Sequence, residues 1–273
     1  MIINFWGVRG SIPTPGKKFI KYGGNTSCVE LSIENQVIIF DMGSGIKNLG
    51  DNLIKKNIKE FNIFMSHFHY DHTCGLPFFK PAYNSKCSFT INAGIIPNKE
   101  KALAILNKQI CSPSFPITIN DFKANVHFND FVVGEDIYLM NDKIKIMSIS
   151  LNHPDGAVGY RVQYENKSIC YITDHEHLLD KKDINLIKFI DNTDVLIYDS
   201  TYQDEEFDNY IGWGHSTWQQ GARIAKEANV ENYFIFHHNP DNDDNVMETI
   251  EKKSKKIYNN IEVAKEGMSF SLL

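Results

Sequence analysis

The chain has 273 residues, of which 42% are hydrophobic and 23% are charged, and its formal net charge at pH 7 is −6. This composition predicts a globular protein with a substantial core and excludes a disordered chain, and the negative charge argues against a broad basic surface for duplex nucleic acid. No apolar run reaches the roughly 20 residues of a membrane-spanning helix, and residues 1–7 do not resemble a signal peptide.

Short runs rich in Ile, Val, Phe and Tyr recur along the chain, and this composition predicts β-strands. In chain order, the nine predicted strands are Cys28–Ile33, Gln36–Phe40, Phe61–Met65, Phe89–Asn92, Lys143–Ile149, Gly159–Tyr164, Ser168–Ile172, Val195–Tyr198 and Tyr233–Phe236. Helical patterns cover Asn98–Ile110, Leu178–Ile190, Thr217–Ala228 and Asp244–Lys256. Ser216 is the predicted N-cap of the third helix.

The domain organisation is simple, because no repeat, low-complexity tract or flexible linker interrupts the pattern. We therefore predict one domain over residues 1–273, with strands and helices around one core. The five cysteines are scattered and form no Cys-x-x-Cys pair. Reduced, buried thiols in a cytoplasmic protein are expected.

Six predicted strands are followed closely by an Asp or a His. These residues are Asp41, His67, His153, Asp174, Asp199 and His237. A polar side chain at a strand exit lies at the rim of a sheet, where ligand sites in layered folds gather. The pattern therefore predicts that these side chains converge.

The strongest local signal is the sequence His67-Phe68-His69-Tyr70-Asp71-His72. Imidazole nitrogens and carboxylate oxygens are ligands that suit zinc. On a strand-end loop, His67 and His69 would serve one ion, and Asp71 and His72 would serve a second, whereas a regular helix would splay the four side chains. Further ligands must come from elsewhere in the chain.

Three strand exits offer those further ligands. His153 would complete the first set, Asp174 would lie between both ions, and His237 would complete the second set. His238 competes with His237, and the sequence leaves that choice open. The nearby His175 and His177 are interpreted as surface or supporting residues.

The motif with its distant His, Asp and His resembles the signature of the metallo-β-lactamase fold superfamily, and the resemblance covers the whole chain. It implies an α+β fold, in which an αββα sandwich of two mixed β-sheets is flanked by helices. It also implies two zinc ions per subunit, or manganese in their place. The implied ligands are His67, His69, Asp71, His72, His153, Asp174 and His237. Asp41-Met42-Gly43 resembles the family's early Asp-x-Gly turn, in which the Asp orients ligands.

The resemblance leaves several reactions open, including β-lactam, thioester and phosphodiester hydrolysis and redox chemistry. The complete histidine-rich motif resembles the hydrolases. The triplet His215-Ser216-Thr217 resembles the ribonuclease Z-like phosphodiesterase branch, in which this His protonates the leaving oxygen and an acidic residue, here Asp199, supports it. His215, Asp199 and Asp71 are thus the predicted catalytic residues.

Ribonuclease Z itself is disfavoured. Its long RNA-binding arm lies between the ligands that match His153 and Asp174, and the interval between these two residues is too short here to contain such an arm. The glycine-rich opening Phe5–Pro13 resembles a subgroup that includes cyclic-nucleotide phosphodiesterases, and the anti-Pycsar enzymes are similar in outline. We therefore expect a small phosphodiester substrate, most directly a 3′,5′-cyclic nucleotide. Arg9 is a candidate phosphate contact. The resemblance also implies a homodimer, in which the unusual stretch Asn98–Phe131 would pair the subunits or cover the substrate.

Two alternatives remain. One is a nuclease or a phosphonate-pathway type of phosphodiesterase that acts on other small or RNA diesters. The other is a non-catalytic nucleotide-binding protein on the same scaffold.

Overall fold

Two β-sheets form the centre of the molecule. The computed structural model describes residues 1–95, 100–179 and 181–272, and within these ranges each sheet has seven strands. The first sheet contains β1 (Ile2–Gly7), β2 (Cys28–Ile33), β3 (Gln36–Phe40), β4 (Glu60–Met65), β5 (Ser88–Ile95), β6 (Asn125–Val132) and β14 (Ser269–Ser271), in the order β14-β1-β2-β3-β4-β5-β6. The last strand of the chain therefore pairs with the first.

The second sheet repeats this design with the middle and later parts of the chain. It contains β7 (Ile137–Leu139), β8 (Ile144–Leu151), β9 (Ala157–Tyr164), β10 (Lys167–Ile172), β11 (Val195–Asp199), β12 (Asn232–Phe236) and β13 (Ile261–Val263), in the order β13-β12-β11-β10-β9-β8-β7. Each sheet has three antiparallel pairings on one side and three parallel pairings on the other. The parallel strands direct their carboxyl ends to one rim.

Helices cover the outer faces of both sheets. The described ranges contain α1 (Ile46–Lys55), α2 (Tyr70–Thr73), α3 (Ala102–Gln109), α4 (Ile184–Ile190), α5 (Trp218–Glu227) and α6 (Asp244–Ser254), besides short 3₁₀ turns. α1 and α3 pack on the first sheet, and α4, α5 and α6 pack on the second. Every helix in these ranges is too short or too polar to cross a lipid bilayer.

The core follows from the two-residue period of the strands. In β11, Ile197 points into the layer between the sheets, whereas Leu196 and Tyr198 point toward the helices. The layer between the sheets includes Phe40 and Tyr171, whose rings stack with centroids 4.9 Å apart. Both faces of the inner strands are therefore apolar, and the four layers form the predicted αββα sandwich.

All nine predicted strands are present, with bounds within three residues of the prediction. The structure adds β1, β6, β7, β13 and β14, together with α1 and the single turn α2. The predicted helix Asn98–Ile110 is found as α3, and residues 98 and 99 lie outside the described ranges. The stretch Asn98–Phe131 thus contributes α3 and most of β6 to the first half of the fold.

Two predictions about helix starts are wrong. Ser216 does not cap α5, because the N-cap is Thr217, whose side chain accepts a hydrogen bond from the Gln220 amide at 3.0 Å. Within the described residues, the helix predicted from Leu178 begins at Ile184, where Asp183 is the N-cap, and residue 180 lies outside the described ranges. All five cysteines are free thiols, but Cys74 and Cys111 are only half-buried, in contrast to the prediction.

Candidate active site

The predicted convergence at the rim is present. The potential metal-ligating side chains form four overlapping groups, and within each group the candidate ligand atoms lie within 4.8 Å of one another. These groups are His67, His69 and His153; Asp71, His72 and His237; His67, His72 and Asp174; and Asp174, Asp199, His215 and His237. The structure therefore brings together all nine residues predicted for the site.

The first group lies on the β4 and β8 exits. His153 Nε2 is 3.2 Å from His69 Nδ1. Asp174 Oδ1 is 3.7 Å from His67 Nε2 and 3.9 Å from His153 Nε2. Three imidazole nitrogens and one carboxylate oxygen thus face a common point.

The second group adds the β12 exit. His237 Nε2 is 3.2 Å from Asp71 Oδ2 and 3.3 Å from His72 Nε2. The other oxygen of Asp174, Oδ2, is 3.1 Å from His72 Nε2 and 3.4 Å from His237 Nε2. Asp174 therefore lies between the two groups with one oxygen toward each, although Asp71 and His72 sit on the one-turn helix α2 rather than on an open loop.

The hydrogen bonds of these rings test whether the groups suit a metal. His72 Nδ1 lies 2.8 Å from Asp41 Oδ2, and His153 Nδ1 lies 2.8 Å from the Gly214 carbonyl. Both oxygens accept, so each ring carries a proton on Nδ1 and turns its Nε2 toward the centre, where that nitrogen can hold either a second proton or a metal ion. Lone pairs that face each other at about 3 Å need a shared cation or a proton.

His67 gives a second indication. Its Nε2 atom is buried and has no hydrogen-bond partner among the described residues. Burial, followed by the positive charge of His72, lowers the pKa of His67 well below its usual value, so the ring is neutral at neutral pH. An unpaired buried nitrogen costs free energy that a metal ion would offset, and a histidine and aspartate donor set suits zinc. The residues fit such an ion.

Asp41 holds the ligands rather than joining them. Its Oδ1 accepts from the Ser66 amide at 2.7 Å, and its Oδ2 accepts from the Ser66 hydroxyl, the Tyr171 hydroxyl and His72 Nδ1, each at 2.8 Å. These contacts match the orienting role that the resemblance implies. Sequence reasoning missed Ser66 and Tyr171, because a serine beside a motif and a tyrosine in a strand carry no distinctive signal.

Three of the buried polar residues have left-handed backbone conformations. The φ angles are 62° at Asp41, 55° at Asp174 and 59° at His237, all directly after parallel strands or one residue beyond. Such values are uncommon for residues other than glycine and indicate local strain that the surrounding structure sustains. The turn of the backbone at these positions directs each side chain into the rim.

His215 and Asp199 form a pair beside the two groups. His215 Nδ1 is 2.9 Å from Asp199 Oδ2, and the His215 ring stacks on His237 with centroids 4.9 Å apart. Burial lowers the pKa of His215, but the charge and hydrogen bond of Asp199, with the charges of Asp174 and Asp71, outweigh it and raise the pKa to about 9.

Asp199 positions other residues of the site through its hydrogen bonds. Its Oδ2 also accepts from the Asp174 amide at 3.0 Å. Its Oδ1 accepts from the Thr201 amide, the Thr201 hydroxyl and the Ser216 amide, each at 3.1 Å. The carboxylate is completely buried and fixes both the Asp174 backbone and the His215 ring.

The glycine-rich opening of the chain lines the site, but Arg9 does not. The Ser11 amide donates to Asp71 Oδ2 at 2.7 Å, and a Cβ on Gly10 would lie 2.3 Å from the His237 ring. The buried Arg9 guanidinium donates instead to the carbonyls of Gly23, Asn239 and Asn242. The prediction of Arg9 as a phosphate contact is therefore wrong, because these carbonyls hold its side chain inside the protein.

The structure also shows where the three remaining histidines near the motif residues lie, namely His238, His175 and His177. His238 Nε2 donates to the Ala264 carbonyl at 2.8 Å, so it faces away from the cluster that His237 joins. Buried His175 accepts from the Asn152 amide at 3.2 Å, and His177 Nδ1 lies 2.8 Å from the Ser216 hydroxyl. Both support the loops that carry His153 and His215.

A cavity of about 300 Å³ opens beside His67 and His69. Phe68, Ala93 and Ile105 contribute apolar surface to its lining, and Glu100 contributes a carboxylate. The cavity is therefore lined by two of the candidate ligands, and part of a small substrate could occupy it.

The comparisons with known proteins agree with this geometry. A family model of the beta-lactamase superfamily domain matches residues 54–238, a range that contains every predicted ligand. Ribonuclease Z of Picrophilus torridus is 26% identical over 316 aligned positions, which cover 99% of this chain and 95% of the relative. Because the chain has 273 residues, the relative contains insertions that this chain lacks.

Solved structures share the fold at low sequence identity. The short form of human tRNase Z superposes with a TM-score of 0.71 at 21% identity, and the match covers 100% of both chains. A diphosphatase of the PhnP family has a TM-score of 0.71 at 16% identity, covering 100% of this chain and 98% of the other. The two-sheet architecture is therefore shared with enzymes.

Proposed function

The chain belongs to the metallo-β-lactamase superfamily of metal-dependent hydrolases, and on that premise we propose that it hydrolyses small phosphodiesters, with 3′,5′-cyclic nucleotides as the favoured substrates. The observation that carries this proposal is the His215–Asp199 pair, which is joined at 2.9 Å beside both groups of candidate ligands. An alkoxide leaving group requires a proton donor, and a carboxylate-supported histidine is suited to that role.

The metal-binding part of the proposal assigns two divalent cations, zinc or manganese, to the two groups. His67, His69 and His153 would hold one cation, Asp71, His72 and His237 would hold the other, and Asp174 would contact both. Such a pair supplies an activated water and neutralises charge on the phosphoryl oxygens. The protein fixes the donors in advance, since Asp41 and Gly214 set the tautomers of His72 and His153.

The remaining chemistry belongs to the protein. Asp199 accepts the Nδ1 proton of His215, and this contact orients the ring and keeps that proton in place. The Nε2 proton is then the one that passes to the leaving oxygen as the P–O bond breaks. Nearby cations would lower the pKa of His215 from about 9 toward neutrality, where a general acid works best.

A ribonuclease is the second candidate, because the ribonuclease Z relative aligns with almost the whole chain. Three features favour a smaller substrate. A short turn and strands β9 and β10 occupy the interval between His153 and Asp174, where ribonuclease Z carries its arm. The relative has insertions that this chain lacks, and the net charge of −6 disfavours a polyanion.

The test is a substrate panel with purified, zinc-loaded protein. We expect hydrolysis of cyclic mononucleotides and of bis(p-nitrophenyl) phosphate, with activity lost in EDTA and restored by zinc or manganese. Cleavage of precursor tRNA but not of cyclic nucleotides would establish the ribonuclease, and activity on 1,2-cyclic sugar phosphates alone would indicate a phosphonate-pathway type of enzyme. Hydrolysis of a thioester with no phosphodiester cleaved would refute the proposal.

One alternative to the activity and one further proposal can be tested with the same protein. Tight nucleotide binding without turnover, after loading with either metal, would indicate a non-catalytic nucleotide-binding protein. We also propose that the protein is a homodimer, which is what the family resemblance implies. Sedimentation equilibrium measures the molecular mass directly, and the mass of one chain would contradict dimerisation.

A further inference from the structure

Trp213 carries an exposed indole and lies on a turn whose backbone is fixed by hydrogen bonds to Glu176. Its side chain is 61% exposed. The flanking amides of Gly212 and Gly214 both donate to Glu176 Oε2, at 2.7 and 2.8 Å. One carboxylate oxygen thus fixes the backbone on both sides of Trp213, from which the largely exposed indole projects.

The clamped turn touches the candidate active site. The Gly214 carbonyl accepts from His153 Nδ1, and a Cβ on Gly214 would lie 2.1 Å from that nitrogen. Gly214 also has a φ of 85°, which only glycine adopts readily. The residue that follows it is His215. Trp213 therefore lies one residue from a contact with one candidate ligand and two residues from the proposed proton donor.

Aromatic rings continue from Trp213 toward His215. The indole meets Tyr210 edge to face at 5.6 Å, and Tyr210 stacks on Tyr202 with centroids 4.1 Å apart and planes 7° apart. Tyr202 in turn lies 6.0 Å from the His215 ring. These three rings, Trp213, Tyr210 and Tyr202, thus form a continuous row of contacts from the surface to the ring of the proposed proton donor.

From this arrangement we infer that Trp213 binds an aromatic base of the substrate by stacking. The inference rests on the proposed phosphodiesterase function and narrows its substrates to nucleotides. A planar base has a π-face whatever its identity, and exposed aromatic rings are surfaces on which bases stack. Glu176 is the positioning residue, since it fixes the turn without contacting the site.

The charge of the same loop indicates a small ligand. Residues 204–208 contain four carboxylates; that of Asp204 is paired with Arg223 at 2.7 Å, which leaves the charges of Glu205, Glu206 and Asp208. A long phosphate backbone would be repelled by this segment, whereas an uncharged base would not. The loop is therefore suited to the base of a mononucleotide rather than to a stretch of RNA.

The kinetic experiment compares a cyclic nucleotide with ribose 1,2-cyclic phosphate, which has no base. In Trp213→Ala, the preference for the nucleotide, measured as the ratio of the two kcat/KM values, should fall about 10-fold through a higher KM for the nucleotide. Trp213→Phe should restore most of the preference, and Glu176→Gln should reduce it. An unchanged ratio in Trp213→Ala would overturn the inference.

A binding experiment gives a readout independent of turnover. Titration of the zinc-loaded protein with a nucleoside 5′-monophosphate should quench indole fluorescence. Trp213→Phe should lose most of this quenching while its affinity, measured by equilibrium dialysis, is retained. Trp213→Ala should bind about 10-fold more weakly. The matched control is Tyr138→Ala, an exposed aromatic side chain on the edge strand β7, which should bind like the unmodified protein.

The outcomes separate this inference from the proposed function. Nucleotide binding that depends on Trp213, with no diester cleaved, would refute hydrolysis and leave the stacking role intact. Diester cleavage with nucleotide binding equal in all variants would refute stacking and leave hydrolysis intact. A change in the sedimentation mass of Trp213→Ala would instead identify the indole as a subunit contact and overturn the inference.

Discussion

Several residues at the rim have strained backbones or side chains that are fixed by buried hydrogen bonds. Asp41, Asp174 and His237 keep left-handed backbones, and Asp199 accepts five hydrogen bonds in complete burial. Strain and buried polar contacts of this kind persist where a structure is organised around a site. The donors are thus arranged by the fold itself, and removal of one side chain should change the chemistry more than the architecture.

His215→Ala tests the proton donor. It should lower kcat for a cyclic nucleotide by about 10²–10⁴ while the metal content stays constant, because the alkoxide then leaves unprotonated. The loss should be much smaller with bis(p-nitrophenyl) phosphate, since nitrophenolate leaves readily without a proton. His127→Ala, an exposed histidine on β6, is the control for loss of an imidazole. Equal losses on both substrates would contradict the assigned role.

Asp71→Ala tests the second cation. Its carboxylate contacts His72 and His237, so its removal should reduce bound zinc from about two ions per chain to about one. Elemental analysis after gel filtration measures this number. Asp51→Ala, on α1, removes a carboxylate paired with Lys47 and Lys80 and should leave the count unchanged. Two ions in Asp71→Ala would show that the ligand groups are misassigned.

Sequence reasoning found the candidate ligands but not their supports. Side chains at strand exits can be recognised along the chain, whereas the partners of Asp41 come from β10 and the β4 exit and depend on sheet register. The choice between His237 and His238 could not be made from the sequence. Neighbouring side chains at a strand end face opposite ways, and the sequence does not show which of the two directions faces the site. Arg9 was misplaced, since no pattern reveals that backbone carbonyls surround a guanidinium.

At the level of elements, prediction succeeded where both faces of a strand are buried. β3, β10 and β11 are continuous apolar runs, and all three were found. The strands β6 and β7 were missed, because each is partly exposed and mixes polar with apolar residues. The three-residue strands β13 and β14 are too short for any period to show. Strands made mostly of buried apolar residues can therefore be recognised from the local sequence, whereas short or partly exposed strands depend on their neighbours.

The start of α5 offers a test at this level. Thr217 accepts from the Gln220 amide and donates to Asp204 Oδ1 at 2.6 Å. Thr217→Ala should reduce the free energy of unfolding by about 1 kcal/mol or somewhat more, whereas Thr217→Ser should keep the cap. Urea unfolding in the presence of zinc provides both values. A loss of equal size in the two variants would mean that the hydroxyl contributes nothing as a cap.

For the whole molecule, the cluster concentrates buried charge. Asp71, Asp174 and three of the histidines that line the two groups, His67, His72 and His237, are buried at the rim of the sheets. Bound cations would relieve the repulsion between the two carboxylates and would stabilise the native state to the extent that they bind it more tightly than the unfolded chain. Metal ions should accordingly be part of the stability of the fold.

Chelation tests this dependence. Zinc at 100 times its dissociation constant stabilises a protein by about 3 kcal/mol, so EDTA should lower the Tm of a chain of this size by roughly 5–10 °C. Differential scanning calorimetry measures the shift, and zinc in excess of the chelator should reverse it. An identical Tm with and without EDTA, in protein whose zinc content has been verified, would exclude a structural contribution from the cations.

The division of ligands between the two sheets has a consequence for biosynthesis. His67, His69, Asp71 and His72 follow β4 of the first sheet, whereas His153, Asp174 and His237 follow strands of the second. A growing polypeptide leaves the ribosome with its amino-terminal half first, and that half has only part of either coordination set. Stable loading with metal must therefore await the docking of the later half, and cofactor capture would be a late step in maturation.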